Sequence, residues 1–205
     1  METKFLEYAK RLQAIAQAGL TYALNDYDLE RYAELKEISL QMMSDLSNTK
    51  LEVIEDLFKN ETGYQTPKVD VRAVVFRDQK ILMVKEKIDG HWSLPGGWAD
   101  VGYTPNEIAI KEAREESGLE VKPKKLVAVL DKKCHPHPPS PYHTYKIFIL
   151  CEEVGGILGG GMETSEVDFF ELNELPPLSE ERITRSQIEL MYAYHNDPTK
   201  IAITD

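Results

Sequence analysis

The chain has 205 residues, is 42% apolar and carries a formal net charge of −11, a length that supports one good core with a small accessory domain. So acidic a surface repels phosphate and argues against unassisted binding to DNA or any nucleic-acid backbone, so a polyphosphate substrate would need divalent cations as mediators. No apolar run approaches a membrane span, and Met1-Glu2-Thr3-Lys4 leads into a charged helical pattern without the apolar block of a leader, so the expected compartment is the cytoplasm, away from membranes. Cys134 and Cys151 are expected there as free thiols.

Residues 1 to 63 read as a small all-α domain. Phe5, Tyr8, Ala9, Leu12, Ile15 and Ala16 share one helical stripe, Tyr32, Leu35, Ile38 and Met42 a second, and Leu51, Ile54, Leu57 and Phe58 a third. Asn25 and then Asn48 or Thr49 are candidate starts for the second and third helices. Glu61-Thr62-Gly63-Tyr64-Gln65-Thr66-Pro67 ends the pattern and marks a domain boundary, with the second domain over residues 64 to 205. Helices this short bury little alone, so their stripes need another surface; a second copy of the chain in a symmetric dimer is the favoured one.

Beyond the boundary the period changes. Val69 to Phe76, a turn at Asp78-Gln79 and Ile81 to Val84 predict a hairpin. Trp92 to Leu94 predicts a short strand running into Pro95-Gly96-Gly97, with core packing expected for Trp92 and Trp98. A helix follows from Pro105, because Thr104-Pro105-Asn106-Glu107 is a capping box with proline at the first helical position, and Gly118 stands where it would stop. Strands at Lys125 to Leu130, Tyr145 to Cys151 and Val167 to Phe170, then a helix from Ser179 to His195, complete a mixed sheet between helices. The fold class is α/β.

Stepping about 100° per residue along the Pro105 helix puts Glu112, Glu115 and Glu116 in one arc, Ala109 and Ala113 in the next, and Glu107, Lys111 and Arg114 on the remaining side. Like charges at these spacings repel, and in the last turns the helix dipole disfavours them further. A hard divalent cation with oxygen ligands would turn that liability into a site. Paired glycines just before the helix would let a backbone carbonyl approach the same ion.

Gly97, then Lys111-Glu112-Ala113-Arg114-Glu115-Glu116-Ser117-Gly118-Leu119, resembles the Nudix box, G-x5-E-x7-R-E-U-x-E-E-x-G-U, with its spacing intact and Leu94-Pro95-Gly96 ahead of it. Tyr103 stands where the first Glu is expected and Lys111 where the Arg is; lysine keeps the charge but not the fork. Within that superfamily the run from Gly90 to Tyr103, the stretch His135 to His143 and Glu163-Thr164-Ser165-Glu166 resemble the bacterial subfamily with its own N-terminal helical domain. That subfamily includes the Bacillus-type CDP-choline pyrophosphatases (CDP-Chase), and other relatives are ADP-ribose pyrophosphatases.

The resemblance implies a Nudix fold and a hydrolase of phosphate anhydrides, dependent on Mg2+ with Mn2+ as the alternative. Gly96, Glu112, Glu115 and Glu116 are the implied metal-holding residues, and Glu112 and Glu116 are implied in catalysis. The later-loop glutamates Glu163 and Glu166, after the glycine-rich run Gly155 to Met162 that is expected to be mobile, are the candidates for the base, Glu163 first. Arg72, Lys85, Tyr142 and His143 are candidates for substrate contact, with surface pairing or loop packing the plain alternative for each. CDP-choline is the first expected substrate, ADP-ribose or another nucleoside diphosphate sugar the alternative, and short RNA ends a distant third. A nucleotide-sensing or protein-binding module without turnover is the reading from another class.

Overall fold

The computed structural model describes residues 4–205; Met1, Glu2 and Thr3, on which the expectation about a leader partly rests, lie outside them. Two compact units form. The first takes the chain up to Pro67 together with Pro138–His143, and the second takes Lys68–His137 and Thr144–Asp205.

The first unit holds α1 (Lys4–Tyr22), α2 (Asp26–Ser47) and α3 (Leu51–Phe58). Asn25 caps α2 by accepting the Asp28 N–H at 2.9 Å. Neither Asn48 nor Thr49 starts α3. Asn48 instead closes α2 with φ 54°, a left-handed conformation that its short polar side chain tolerates, and Lys50 precedes α3. The core is Leu6, Ala9, Leu40, Met43, Ile54 and Phe58. Segment 138–143 is fastened by Lys10, whose Nζ donates to the Ser140 and Tyr142 carbonyls, both at 3.2 Å.

The expected stripe of α1 is displaced. Its buried face runs Leu6, Ala9, Gln13, Ala16 and Gln17, while Phe5, Tyr8 and Ile15 are exposed, as is Ile38 on α2. The reason is polar pairing: Gln13 donates to Gln17 at 3.0 Å and Gln17 to the Gly63 carbonyl at 3.1 Å. Amides paired in this way can occupy a face that apolar periodicity assigns elsewhere, even though Gln13 Oε1 is left without a hydrogen bond among the described residues.

The second unit contains, in chain order, β1 (Lys68–Arg77), β2 (Lys80–Glu86), β3 (Trp92–Ser93), β4 (Gly96–Trp98), α4 (Pro105–Ser117), β5 (Leu119–Asp131), β6 (Thr144–Gly156), β7 (Thr164–Phe170), α5 (Arg185–Asn196) and β8 (Ile203–Thr204). The strand order is β3-β2-β1-β6-β5-β8, with β4 on β1 and β7 on β2. It is a mixed sheet, since β1 with β6 and β5 with β8 run parallel. Asp78 and Gln79, at φ 49° and 64°, make the two-residue hairpin turn whose twist suits the flanking strands.

Alternation along β1 divides the core. Val71, Ala73 and Val75 pack with Ile108, Ala109 and Ala113 of α4, and Val74 packs with Ile188, Met191 and Tyr192 of α5. This is the α/β architecture expected, helices on both faces of a mixed sheet. The last helix starts at Arg185, later than Ser179, because Thr184 and Gln187 form a capping box. Residues 177–179 run beside β3 instead, with Trp92 N–H on the Pro177 carbonyl and Ser179 N–H on that of Trp92. Among the described residues no helix is long and apolar enough to cross a membrane.

Candidate active site

Local chemistry fixes both ends of α4. Thr104 Oγ1 accepts the Glu107 N–H at 3.3 Å, Glu107 Oε2 accepts the Thr104 N–H at 2.8 Å, and Gly118 at φ 73° returns its N–H to the Arg114 carbonyl at 3.0 Å. With Ala109 and Ala113 against the sheet, the carboxylate arc turns toward the glycine loop. Glu116 is only 6% exposed, and its Oε2 accepts the Gly96 N–H at 2.8 Å. A Cβ placed on Gly97 would lie 3.6 Å from the Glu112 carboxylate. Glu115 is exposed.

Strand pairing explains why Gly96 is available. Ala73 N–H donates to the Pro95 carbonyl and Ala99 N–H to that of Val69, so residues 95, 97 and 99 carry the ladder to β1. In an antiparallel ladder the intervening residue turns both its N–H and its C=O away from that partner. Gly96 therefore presents both groups on the side of Glu116. Its φ of 149°, and the collision of any Cβ with the Val71 carbonyl, require glycine there.

Burial pushes the Glu116 carboxyl up to about 8, with Arg72 and the Gly96 N–H drawing it back and Glu86 and Glu112 adding to the rise. Burial raises Glu112 too, against the pull of Lys111. The Lys111 ammonium stands 3.3 Å from both Asp100 and Glu112 and 3.5 Å from Glu115, and the hydrogen bond to Asp100 leads the effects that hold it charged.

Arg72 is buried. Its Nε and Nη2 donate to Asp70 at 2.9 and 2.6 Å, and its Nη1 donates to Ser93 Oγ at 3.2 Å and the Leu94 carbonyl at 3.0 Å. Lys146 Nζ donates to Asp70 at 2.7 Å. Burial alone would raise Asp70, but the two cations hold it well below the usual carboxylate range. Arg72 thus braces the strand entering the glycine loop from beneath.

The other expected residues are spread more widely. Lys85 pairs with Glu166 at 2.7 Å across β2 and β7. Glu163 stands just before β7 with its carbonyl on the Lys87 N–H at 2.9 Å. Tyr142 and His143 belong to the first unit, where the Tyr142 ring packs on Phe58 at 5.9 Å. Trp92 is buried as expected, whereas Trp98 is exposed.

Two features escaped the sequence. Glu86 is buried at the end of β2, paired with Arg182 at 3.0 Å, and burial raises its carboxyl. Strand alternation carries the clue, because Leu82, Val84 and Glu86 share a face and Leu82 belongs to the α4 core. The glycine-rich run after β6 is not loose: Ile157 N–H donates to the Gly118 carbonyl at 3.2 Å and Gly159 N–H to that of Ser117 at 3.0 Å. Its glycines serve close backbone approach to the end of α4.

Among the described residues no three His, Cys, Asp or Glu side chains converge as a ready ligand set. Lys111 is the cation among the carboxylates instead. The donors that face one another around Gly96 and Gly97 are all hard oxygens, which suits Mg2+ or Mn2+. Two of those carboxylates are driven toward the neutral form by burial, a tendency a divalent cation would reverse.

A helical unit leading into a mixed sheet, with a glycine loop held against a carboxylate helix, defines a class of hydrolase, and comparison with known proteins identifies it. Residues 66–191 match the NUDIX domain family, and residues 3–58 match the family described as a UDP-X-like, N-terminal oligomerisation domain. The chain belongs to the Nudix family and is one of its pyrophosphohydrolases.

It is 49% identical to YjhB of Bacillus subtilis, by name a candidate ADP-ribose pyrophosphatase, over 100% of this chain and 99% of that one. The ADP-ribose pyrophosphatase of Methanocaldococcus jannaschii is 35% identical over 57% of this chain and 69% of that one. Among solved structures, an ADP-ribose pyrophosphatase from Streptococcus suis aligns with TM-score 0.63 and 40% identity over 68% of this chain and 100% of that one. A UDP-X diphosphatase aligns with TM-score 0.65 and 33% identity over 98% of each.

Proposed function

We propose that the chain hydrolyses the pyrophosphate bond of a nucleoside diphosphate linked to a sugar, ADP-ribose first, giving a nucleoside monophosphate and a phosphorylated remainder. Three of the four relatives above carry ADP-ribose in their names and the fourth is a UDP-X diphosphatase. None of them names CDP-choline, which therefore moves from first expectation to a member of the test panel.

The observation that carries the reading is the buried Glu116 carboxylate on the Gly96 N–H, with Glu112 beside Gly97. A diphosphate bridge resists attack because its anionic oxygens repel the nucleophile. Bound Mg2+ or Mn2+ would neutralise that charge and make water a better nucleophile, held by the Gly96 carbonyl, Glu112, Glu115 and Glu116. Glu163 accepts the proton from the attacking water in this reading, and it is preferred to Glu166 because Glu166 already pairs with Lys85 at 2.7 Å. The same pair occupies Lys85, so no contact with the substrate's phosphates is assigned to it. Arg72 has its fork on Asp70 and the loop, so its proposed part is to hold Gly96 in place. Tyr142 and His143 have no part in this account.

The experiment is a panel of ADP-ribose, UDP-sugars and CDP-choline with purified protein and Mg2+. Monophosphate release should be fastest from ADP-ribose or another nucleoside diphosphate sugar, and Glu163→Gln should lower kcat more than Glu166→Gln. Nucleotide binding without turnover across the panel would favour the sensing module instead.

The first unit is proposed to join two copies of the chain. Its match to an oligomerisation family and the exposed Phe5, Ile15, Tyr22, Tyr27 and Ile38 support this. Sedimentation of the full chain should show a dimer; a monomer at micromolar concentration would refute it.

A further inference from the structure

The geometry points to Thr164 as a positioning residue for the catalytic carboxylates, the keystone of a cap that residues 155–164 form over the C-terminal end of α4. This rests on the hydrolase reading and adds to it how the carboxylate helix and Glu163 are held in register.

An α-helix leaves its last four carbonyls without intrahelical partners, and in α4 these are Arg114, Glu115, Glu116 and Ser117. Gly118 N–H returns to Arg114 at 3.0 Å, Gly159 N–H serves Ser117 at 3.0 Å, and Thr164 Oγ1 donates to Glu116 at 2.7 Å. Gly161 lies so close over the Glu115 carbonyl that a Cβ would collide with it. Ile157 N–H adds a bond to the Gly118 carbonyl at 3.2 Å. At the end of the helix where two glutamates meet an unfavourable dipole, three of the four terminal carbonyls therefore receive donors and the fourth is closely covered by Gly161.

Thr164 is the pivot because its hydroxyl works in both directions. While donating to Glu116 it accepts the Gly161 N–H at 2.7 Å. At 1% exposure water cannot replace either bond without the segment opening. Glu163 is the adjacent residue, and Lys87 ties it from the other side: Lys87 N–H donates to the Glu163 carbonyl at 2.9 Å, and Lys87 Nζ donates to those of Gly161 and Met162 at 3.0 and 2.9 Å. Glu163 thus sits between an anchor on the end of β2 and an anchor on the carbonyl of Glu116. A residue that only stabilised the fold would not need to join the proposed base to a proposed metal-holding residue in this way.

The test uses the full chain with Thr164→Val, which keeps the shape and loses the hydroxyl, and Thr164→Ser, which keeps the hydroxyl. Thr164→Val should lower kcat at least tenfold and raise the Mg2+ concentration for half-maximal rate severalfold, with KM changed less than threefold; Thr164→Ser should stay within twofold of wild type in all three. A folded Thr164→Val protein with wild-type kcat and Mg2+ dependence overturns the proposal. Should that variant fail to fold, amide exchange in the wild-type chain decides: the Gly159 and Gly161 amides should exchange at least a hundredfold more slowly than in a free peptide, and free-peptide rates would overturn the cap. A wild-type chain inactive on every panel substrate would sink the hydrolase reading alone, since the exchange measurement needs no activity.

Discussion

Glu116 and Gly96 are separated by 20 residues of sequence, yet the carboxylate of one takes the N–H of the other at 2.8 Å in a buried setting. This bond joins the glycine loop to the carboxylate helix. It also leaves a carboxyl with few solvent contacts, whose affinity for protons and for cations becomes a property of the fold.

Stability should therefore depend on pH through Glu116. Its carboxyl is raised from an ordinary value of 4.5 to about 8. Between those values the folded chain holds a proton that the unfolded chain releases, so this contribution is complete below 4.5 and is lost as pH rises through 8. In urea unfolding with a chelator present, Glu116→Gln should gain stability relative to wild type as pH goes from 5 to 8. Parallel pH curves for the two proteins would contradict this.

Added Mg2+ should raise the Tm of the wild-type chain at pH 8, because a ligand that binds only the folded state stabilises it by RT ln(1 + [L]/Kd). The shift should shrink in Glu116→Gln and Glu112→Gln. Equal shifts in all three proteins would place the ion elsewhere.

The two loop glycines should respond differently to alanine. At Gly96 the new Cβ meets the Val71 carbonyl and lies 2.8 Å from Arg72, on backbone at φ 149°, whereas at Gly97 the nearest atoms are 3.6 Å away on the flexible Glu112. Gly96→Ala should cost more than about 1 kcal/mol and Gly97→Ala less than that. Thermal unfolding of both variants checks the order, and a reversed order would refute the loop geometry.

Asp70→Asn should destabilise the chain by about 3–5 kcal/mol, because it leaves two buried cations, Arg72 and Lys146, without their shared carboxylate. Activity should fall as well, through the Arg72 bond to the Leu94 carbonyl. A loss below about 1 kcal/mol in urea unfolding would show that the cluster is not what holds this end of β1.

What the sequence revealed follows from how local each determinant is. Helix α4 is legible because Thr104, Pro105, Glu107 and Gly118 fix its ends within a turn of themselves. The box spacing marks Glu112, Glu115 and Glu116, but only the packed sheet shows that Glu116 is buried and Glu115 exposed. Arg72 looks like a free cation until Asp70 and Lys146, 76 residues apart, meet beside it. The buried Gln13 and Gln17 defeat apolar periodicity for the same reason, since their partners include a distant carbonyl. A glycine-rich run reads as slack chain unless the carbonyls it covers are known, and here they are the last ones of α4.

The central claim is that Glu116, held by Gly96, serves hydrolysis of a nucleoside diphosphate sugar, and steady-state turnover of ADP-ribose with Mg2+ by wild type and Glu116→Gln tests it most directly. The account predicts release of AMP by the wild-type chain and a loss of more than about a hundredfold in kcat/KM for a folded variant, beyond what a supporting residue of a metal site costs. A folded Glu116→Gln protein that keeps turnover within tenfold of wild type would contradict it.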